Sequence, residues 1–237
     1  GDGPPKMATS TMANGQNPPS ASLLLGIPAP ASELTIVADP PPEDEGGYDI
    51  TVTYTMTFVS AFGEEGPPAP ASRVISKHQS ANVTVSNIPV PPTKGHNIPT
   101  KRVYRAEASG SFLLVAEIPA STTSEVDSIP TENLGEPLPS LQWDMPDPRM
   151  IGLTNIGNGI LAGWFDNTLC FCEPYRPHAW PVGYQMGFSS NIVGIAPTSN
   201  GVIVTTEHEP WVVTGTTPAA MSQTKLDFPF GNLSRYS

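Results

Sequence analysis

Proline interrupts this chain so often that few folds remain open to it. There are 29 prolines and 21 glycines among 237 residues. Proline lacks the backbone N–H and clashes with the preceding helical turn, and glycine weakens helix interiors. Long helices are therefore excluded, and short strands joined by Pro/Gly-rich turns are expected, an all-β chain. The clearest strand runs from Tyr48 to Phe58. Tyr48, Ile50, Val52, Tyr54, Met56 and Phe58 alternate with Asp49, Thr51, Thr53, Thr55 and Thr57. A period of two puts the large apolar groups on one face and a threonine ladder, suited to water, on the other.

Four segments follow from the composition. Residues 1–31 are rich in Pro, Ser, Ala, Gly and Asn, with Leu23, Leu24 and Leu25 as the one apolar knot. Such a stretch buries too little to fold alone and reads as an extended arm whose leucines are interface candidates. Residues 32–130 read as an antiparallel sandwich, with strands over Glu33–Ala38, Tyr48–Phe58, Arg73–Lys77, Asn82–Ile88, Lys101–Ala106 and Phe112–Ile118, and a hairpin turn at Ser109-Gly110. Residues 131–149 carry Pro137, Pro139, Pro146 and Pro148 and read as a stiff linker, with Trp143 packing on a flanking domain.

Residues 150–237 contain a repeat. Gly152-Leu153-Thr154 matches Gly194-Ile195-Ala196. Asn158-Gly159-Ile160-Leu161 matches Asn200-Gly201-Val202-Ile203. Thr168-Leu169-Cys170-Phe171 matches Pro210-Trp211-Val212-Val213. Each pair lies 42 positions apart, a spacing typical of propeller blades, so this part reads as a partial propeller of about two units. A second sandwich is the alternative.

Net charge is −11 and the pI is near 4.6. Specific nucleic-acid binding is excluded, because phosphate neutralisation needs clustered Lys and Arg, whereas an acidic wall lets DNA pass without sticking. No apolar run approaches the roughly 20 residues of a membrane span. The opening Gly-Asp-Gly-Pro-Pro has neither the basic nor the apolar region of a signal peptide.

Candidate chemistry is sparse. Cys170 and Cys172 share one face of a strand, and with His178 they make three of the four ligands of a structural zinc site. The reading taken is two buried thiols and no metal. Glu207-His208-Glu209 offers two carboxylates for acid/base work, against an ordinary solvated turn. Glu43-Asp44-Glu45 and Glu64-Glu65 lack the ligand spacing of a calcium loop. His78, His96, His178 and His208 fall in no triad signature, and no phosphate loop or nucleophile elbow occurs. Asn82-Val83-Thr84 and Asn232-Leu233-Ser234 match the glycosylation pattern by chance. The chain is read as no enzyme, with no cofactor. Tyr175, His178 and Trp180 form an aromatic cluster between prolines, suited to an interface, to stacking on a glycan, or to plugging the chain's own core.

Tyr54–Ser72 (YTMTFVSAFGEEGPPAPAS), Val83–Pro92 (VTVSNIPVPP), Asn97–Ala106 (NIPTKRVYRA), Phe112–Ile118 (FLLVAEI) and Leu134–Leu138 (LGEPL) resemble a fibronectin type III-like domain of phage tail proteins. Gly159–Glu173 (GILAGWFDNTLCFCE), Pro174–Pro181 (PYRPHAWP) and Val212–Met221 (VVTGTTPAAM) resemble the propeller-like part of virion structural proteins. The nearest type is the nozzle, or tail tubular protein B-like, component of short-tailed phages. The resemblance spans residues 33–228. It implies a virion tail protein made in the host cytoplasm. Such a protein forms a homo-oligomeric ring at the DNA exit channel, contacts adaptor and fibre proteins, and passes DNA without specific binding or membrane contact. A receptor- or carbohydrate-binding fibre module is the alternative, and a glycoside hydrolase part using Glu207 or Glu209 is a third reading.

Overall fold

A computed structural model describes residues 3–14, 21–40, 46–108 and 110–227. The Glu43-Asp44-Glu45 run, Ser109 of the expected hairpin turn, and the segment from Phe228 with Asn232 lie outside the described residues. Among the described residues the fold is almost wholly β, and every strand pairing is antiparallel. The chain divides into two compact units. One spans Ile27–Leu141, and the other joins the residues up to Gly26 to those from Gln142 onward.

The chain opens with β1 (Lys6–Met7), a single helical turn α1 (Ser10–Asn14) and β2 (Leu23–Leu24). Thr9 Oγ1 caps the turn by accepting from the Met12 N–H at 3.1 Å. Strand β2 pairs with β1, and the Leu25 N–H donates to the Pro5 carbonyl. The described part of this arm thus carries its own backbone pairing.

The Ile27–Leu141 unit contains β3 (Thr35–Ala38), β4 (Asp49–Val59), β5 (Ile75–His78), β6 (Val83–Ser86), β7 (Thr100–Glu107), β8 (Leu113–Pro119) and β9 (Ser124–Asp127). One sheet has the order β5-β4-β7-β8 and the other β3-β6-β9. They bury a common core, with Val52, Tyr54, Met56, Phe58 and Val103 from the first and Ile36, Val83 and Val85 from the second. The alternation along β4 points these side chains inward.

The opposite face of β4 departs from expectation. Thr55 and Thr57 are buried, not bathed in water. Glu64–Ser72 returns along the C-terminal half of β4. The N–H groups of Gly66, Ala69 and Ser72 donate to the carbonyls of Phe58, Met56 and Tyr54. Thr55 Oγ1 donates to the Ala69 carbonyl at 2.8 Å. Glu65, which is 4% exposed, accepts from Thr57 Oγ1 at 2.7 Å, Tyr104 OH at 2.6 Å and Arg102 Nη1 at 2.9 Å. The threonines are stitches to a loop, and the periodicity alone does not reveal what the loop brings.

A second polar group crosses the core. Asp127 on β9 accepts from Tyr54 OH on β4 and from Arg105 Nη1 on β7, each at 2.7 Å. Its other oxygen accepts the Ile129 N–H at 2.9 Å. Arg105 also donates to the Ile129 carbonyl and pairs with Glu107 at 3.1 Å. Burial, and then the negative charge of Asp127, push the Tyr54 phenol well above its ordinary range, so it stays a donor.

In the other unit, β10 (Ile151–Asn155), β11 (Leu161–Phe165), β12 (Thr168–Phe171) and β13 (Gln185–Gly187) form one four-stranded meander. A second meander follows as β14 (Ile192–Thr198), β15 (Gly201–Thr206), β16 (Trp211–Thr214) and β17 (Ser222–Lys225). Each has a register irregularity in its first strand, between Ile151 and Thr154 and between Ile192 and Gly194. The residues read as a linker do not stay together. Gly135, Glu136 and Leu138 hydrogen-bond to the edge of β8, while Gln142 onward belongs with the meanders.

The two meanders stack on one core. Ala162, Trp164, Leu169 and Phe171 meet Val202, Val204, Val213 and Trp211. Hydrogen-bonded and non-hydrogen-bonded pairs alternate along an antiparallel ladder, and chirality fixes the face that each kind presents. In the first sheet the Cys172 N–H donates to the Leu161 carbonyl, so Ala162 and Phe171 form a non-hydrogen-bonded pair. In the second, the Gly215 N–H donates to the Asn200 carbonyl, which makes Val202 and Val213 a hydrogen-bonded pair. The sheets therefore meet through opposite faces, stacked head to tail.

Two substitutions test this account. Asp127→Ala removes the buried carboxylate that holds the Arg105 guanidinium and leaves it only Glu107 and the Ile129 carbonyl, and chemical denaturation should show a loss of about 3 kcal/mol. Gly152 has φ +64°, and a Cβ there would lie 1.5 Å from the Trp164 ring. Gly152→Ala should cost about 3 kcal/mol. At Gly194, its partner in the repeat, the nearest atom to a Cβ is Thr205 Oγ1 at 3.3 Å, and alanine should be milder there.

Candidate interaction surface

Four of the side chains singled out from the sequence, Leu25, Cys170, Cys172 and Trp180, come together at the outer face of the first meander. Leu161, Phe165, Cys170 and Cys172 point away from the core shared with the second sheet. A cover of Leu25, Met150, Trp180 and Met7 packs over them. Trp180 is buried, and its indole N–H donates to the Pro177 carbonyl at 2.8 Å. Its backbone N–H donates to the Asp144 carbonyl. Gly26 belongs to the same cover, since a Cβ there would lie 2.8 Å from Pro146 Cδ.

The aromatic cluster is divided by this packing. Trp180 and His178 point inward, and the His178 ring stands edge-on to Trp143 with centroids 5.7 Å apart. Arg176 lies over the other aromatic system of that pair, 4.8 Å from the Trp143 ring. Tyr175 alone points out, 80% exposed, from a backbone with φ +60°. Leu23 and Leu24 are half-buried, and Leu25 is buried. Of the six side chains proposed for contacts, Tyr175 has the most free surface.

Cys170 and Cys172 are free, buried thiols. Burial pushes Cys170 up to about 12 and raises Cys172 as well, which keeps both protonated and weakly nucleophilic. The Leu161 N–H donates to Cys172 Sγ at 3.1 Å. His178 is turned to Trp143, and among the described residues no cluster of three His, Cys, Asp or Glu side chains is placed to hold a metal ion.

Glu207 and Glu209 do not converge. Asn191 Nδ2 donates to Glu207, whereas Glu209 pairs with Lys225 across the last hairpin. Buried Thr206 organises the turn between them. Its hydroxyl accepts the N–H groups of His208 and Glu209 and donates to the Glu209 carbonyl at 2.7 Å. This is turn architecture with its carboxylates engaged separately.

The surface missed by sequence reasoning is the far side of the second meander. Ile203 and Val212 face away from the shared core and remain half-buried. A 42-residue spacing equates Cys170 with Val212 and so suggests the same covered face. The hydrogen-bond parity reverses this. Ile203 and Val212, like Ala162 and Phe171, form a non-hydrogen-bonded pair, and Ala162 and Phe171 are the pair against which a whole sheet packs.

No protein-family model matches the chain, and no curated protein matches its sequence.

The burial of His178 has a measurable consequence. Desolvation, and then the nearby Arg176 charge, lower its pKa from 6.5 to about 4. The folded state binds this proton less readily than the unfolded chain. The stability is therefore complete above pH 6.5 and is lost as the pH falls through that value to about 4. The loss should be on the order of 3 kcal/mol. Comparison of urea midpoints at pH 7 and pH 4 for the native chain and for His178→Phe checks this, since the phenylalanine variant should show the smaller drop.

Proposed function

We propose that the chain is a structural, non-enzymatic component of a bacteriophage tail. It assembles as an oligomer near the DNA exit channel. In this reading Ile27–Leu141 is a fibronectin type III-like, Ig-like sandwich, its described residues forming seven strands divided three and four over one core. The two meanders are propeller-like blades.

The observation that carries the reading is the head-to-tail stacking of two meanders, with Ile203 and Val212 paired on the outer face of the second. Successive propeller blades stack in this manner, each offering one face to the blade before and the other to the blade after. Closure takes at least four blades. The Ile203–Val212 face is suited to a further sheet, and the Leu25–Trp180 cover takes the place of a preceding one. Supporting features are the ordered resemblance across residues 33–228, the net charge of −11 and the low charged fraction of 14%. An acidic wall repels phosphates and keeps a channel from binding its cargo.

Peptide mass spectrometry on density-purified phage particles tests the proposal. Peptides of this chain should be present in stoichiometric amounts with the other tail proteins. Their absence from purified particles, with the chain present in the soluble lysate, overturns the virion assignment.

A further inference from the structure

The Ile27–Leu141 unit has a cavity of about 480 Å³ at one end, lined by residues that include Tyr48, Lys77, Asn82, Glu107, Ile129 and Glu132. Its volume is in the range of small-molecule sites. Its walls hold both donors and acceptors in fixed positions. Lys77 is 6% exposed, and its ammonium donates to the carbonyls of Ala81 at 2.6 Å and Gln79 at 3.2 Å. An ammonium has three N–H groups, so among the described residues one is left for a ligand. Glu107 Oε1 accepts from Thr131 at 2.7 Å and pairs with Arg105 at 3.1 Å, which orients the carboxylate and leaves Oε2 as an acceptor. Arg105 is itself held by Asp127, so the cavity wall is anchored in the polar group that crosses the core.

The charge balance selects the ligand. Counting the pair behind the wall, two cations, Lys77 and Arg105, stand against three carboxylates, Glu107, Glu132 and Asp127. A phosphate or carboxylate ligand is disfavoured by this excess of negative charge. A metal ion lacks a ligand set, since the described residues contain no cluster of three candidate side chains. A neutral polyol fits the mixture of donors and acceptors. At the cavity lies Tyr48, 67% exposed, which offers a flat apolar ring with a polar tip. Half-buried Ile50 adds apolar floor beside it.

We propose that this cavity is a saccharide-binding site, in which a sugar ring stacks on Tyr48 and its hydroxyls bond to Lys77, Glu107 and the Asn82 amide. The site is separate from the Tyr175 loop and does not depend on the tail assignment.

The intact chain on an array of neutral hexose and N-acetylhexosamine oligosaccharides, followed by titration calorimetry with the best-bound probe, tests it. Selective binding is expected. Tyr48→Ala should weaken it about tenfold, with an unchanged melting temperature. Tyr48→Phe should restore most of the affinity, and Tyr175→Ala should leave it unaltered. Binding to no oligosaccharide on the array overturns the proposal. Binding that persists in Tyr48→Ala and vanishes in Tyr175→Ala also overturns it and moves the sugar site to the other unit. Selective retention of polyanionic glycans alone overturns the charge argument and with it the proposal.

Discussion

The ion pair between Arg105 and Asp127 is the constraint on which the larger part of the Ile27–Leu141 unit depends. It lies in the core, with side chains 1% and 0% exposed. Burying two charges is expensive, and a buried pair often contributes little net stability against an apolar substitute. What this pair supplies is definition. Asp127 is on β9 of one sheet, and Arg105 and Tyr54 are on β7 and β4 of the other. The hydrogen bonds have fixed lengths and angles, so one sheet cannot slide over the other without stranding a charge. Hydrophobic contacts among Val, Ile and Met would tolerate such a slip. The apolar core drives the sheets together, and the polar group selects a single alignment.

The same economy explains how a chain with so many prolines builds sheets. In the segment after β4 the donors are Gly66, Ala69 and Ser72, and Pro67, Pro68 and Pro70 occupy positions between them. Along β8 the donors are Gly135 and Leu138, with Pro137 between. Proline has no N–H to contribute, so it sits where the ladder needs none. These segments cover the edges of β4 and β8 and offer few donors to another strand. Composition that forbids helices here also guards the sheet against unwanted pairing.

The sequence made the β class legible, and the reason is local. The alternation from Ile50 to Phe58 is a property of neighbouring residues, and it survives in the packing of β4. The threonine face was misread because its partner, Glu65, arrives from a turn beyond the strand. Strand β9, Ser124–Asp127, was missed because it is short and polar, and its one essential group is a carboxylate that ordinarily marks a surface. The aromatic cluster was visible as composition. Its division was not, because the left-handed backbone at Tyr175 turns one ring outward while Trp180 closes on Cys170 and Cys172. Nothing in the spacing of Tyr175, His178 and Trp180 encodes that turn.

The 42-residue repeat shows most clearly where sequence reasoning stops. An even spacing implies that matched residues share a face, and by that rule Val212 should be covered as Cys170 is. Register is set by hydrogen bonds, and a shift of one residue exchanges the faces. The loops differ. Five residues, Ile156–Ile160, separate the paired Asn155 and Leu161, whereas two, Ser199-Asn200, separate Thr198 and Gly201. That difference in loop length lets the two meanders keep similar sequences while meeting through opposite faces. Had they met through like faces, the pair would have closed on itself around one symmetric core. Head-to-tail contact has no such natural end, because each sheet added presents the same kind of surface again. The outward pair of Ile203 and Val212 is then a consequence of the stacking geometry, and the covering of the opposite end by Leu25, Met150 and Trp180 is the exception that the chain had to build.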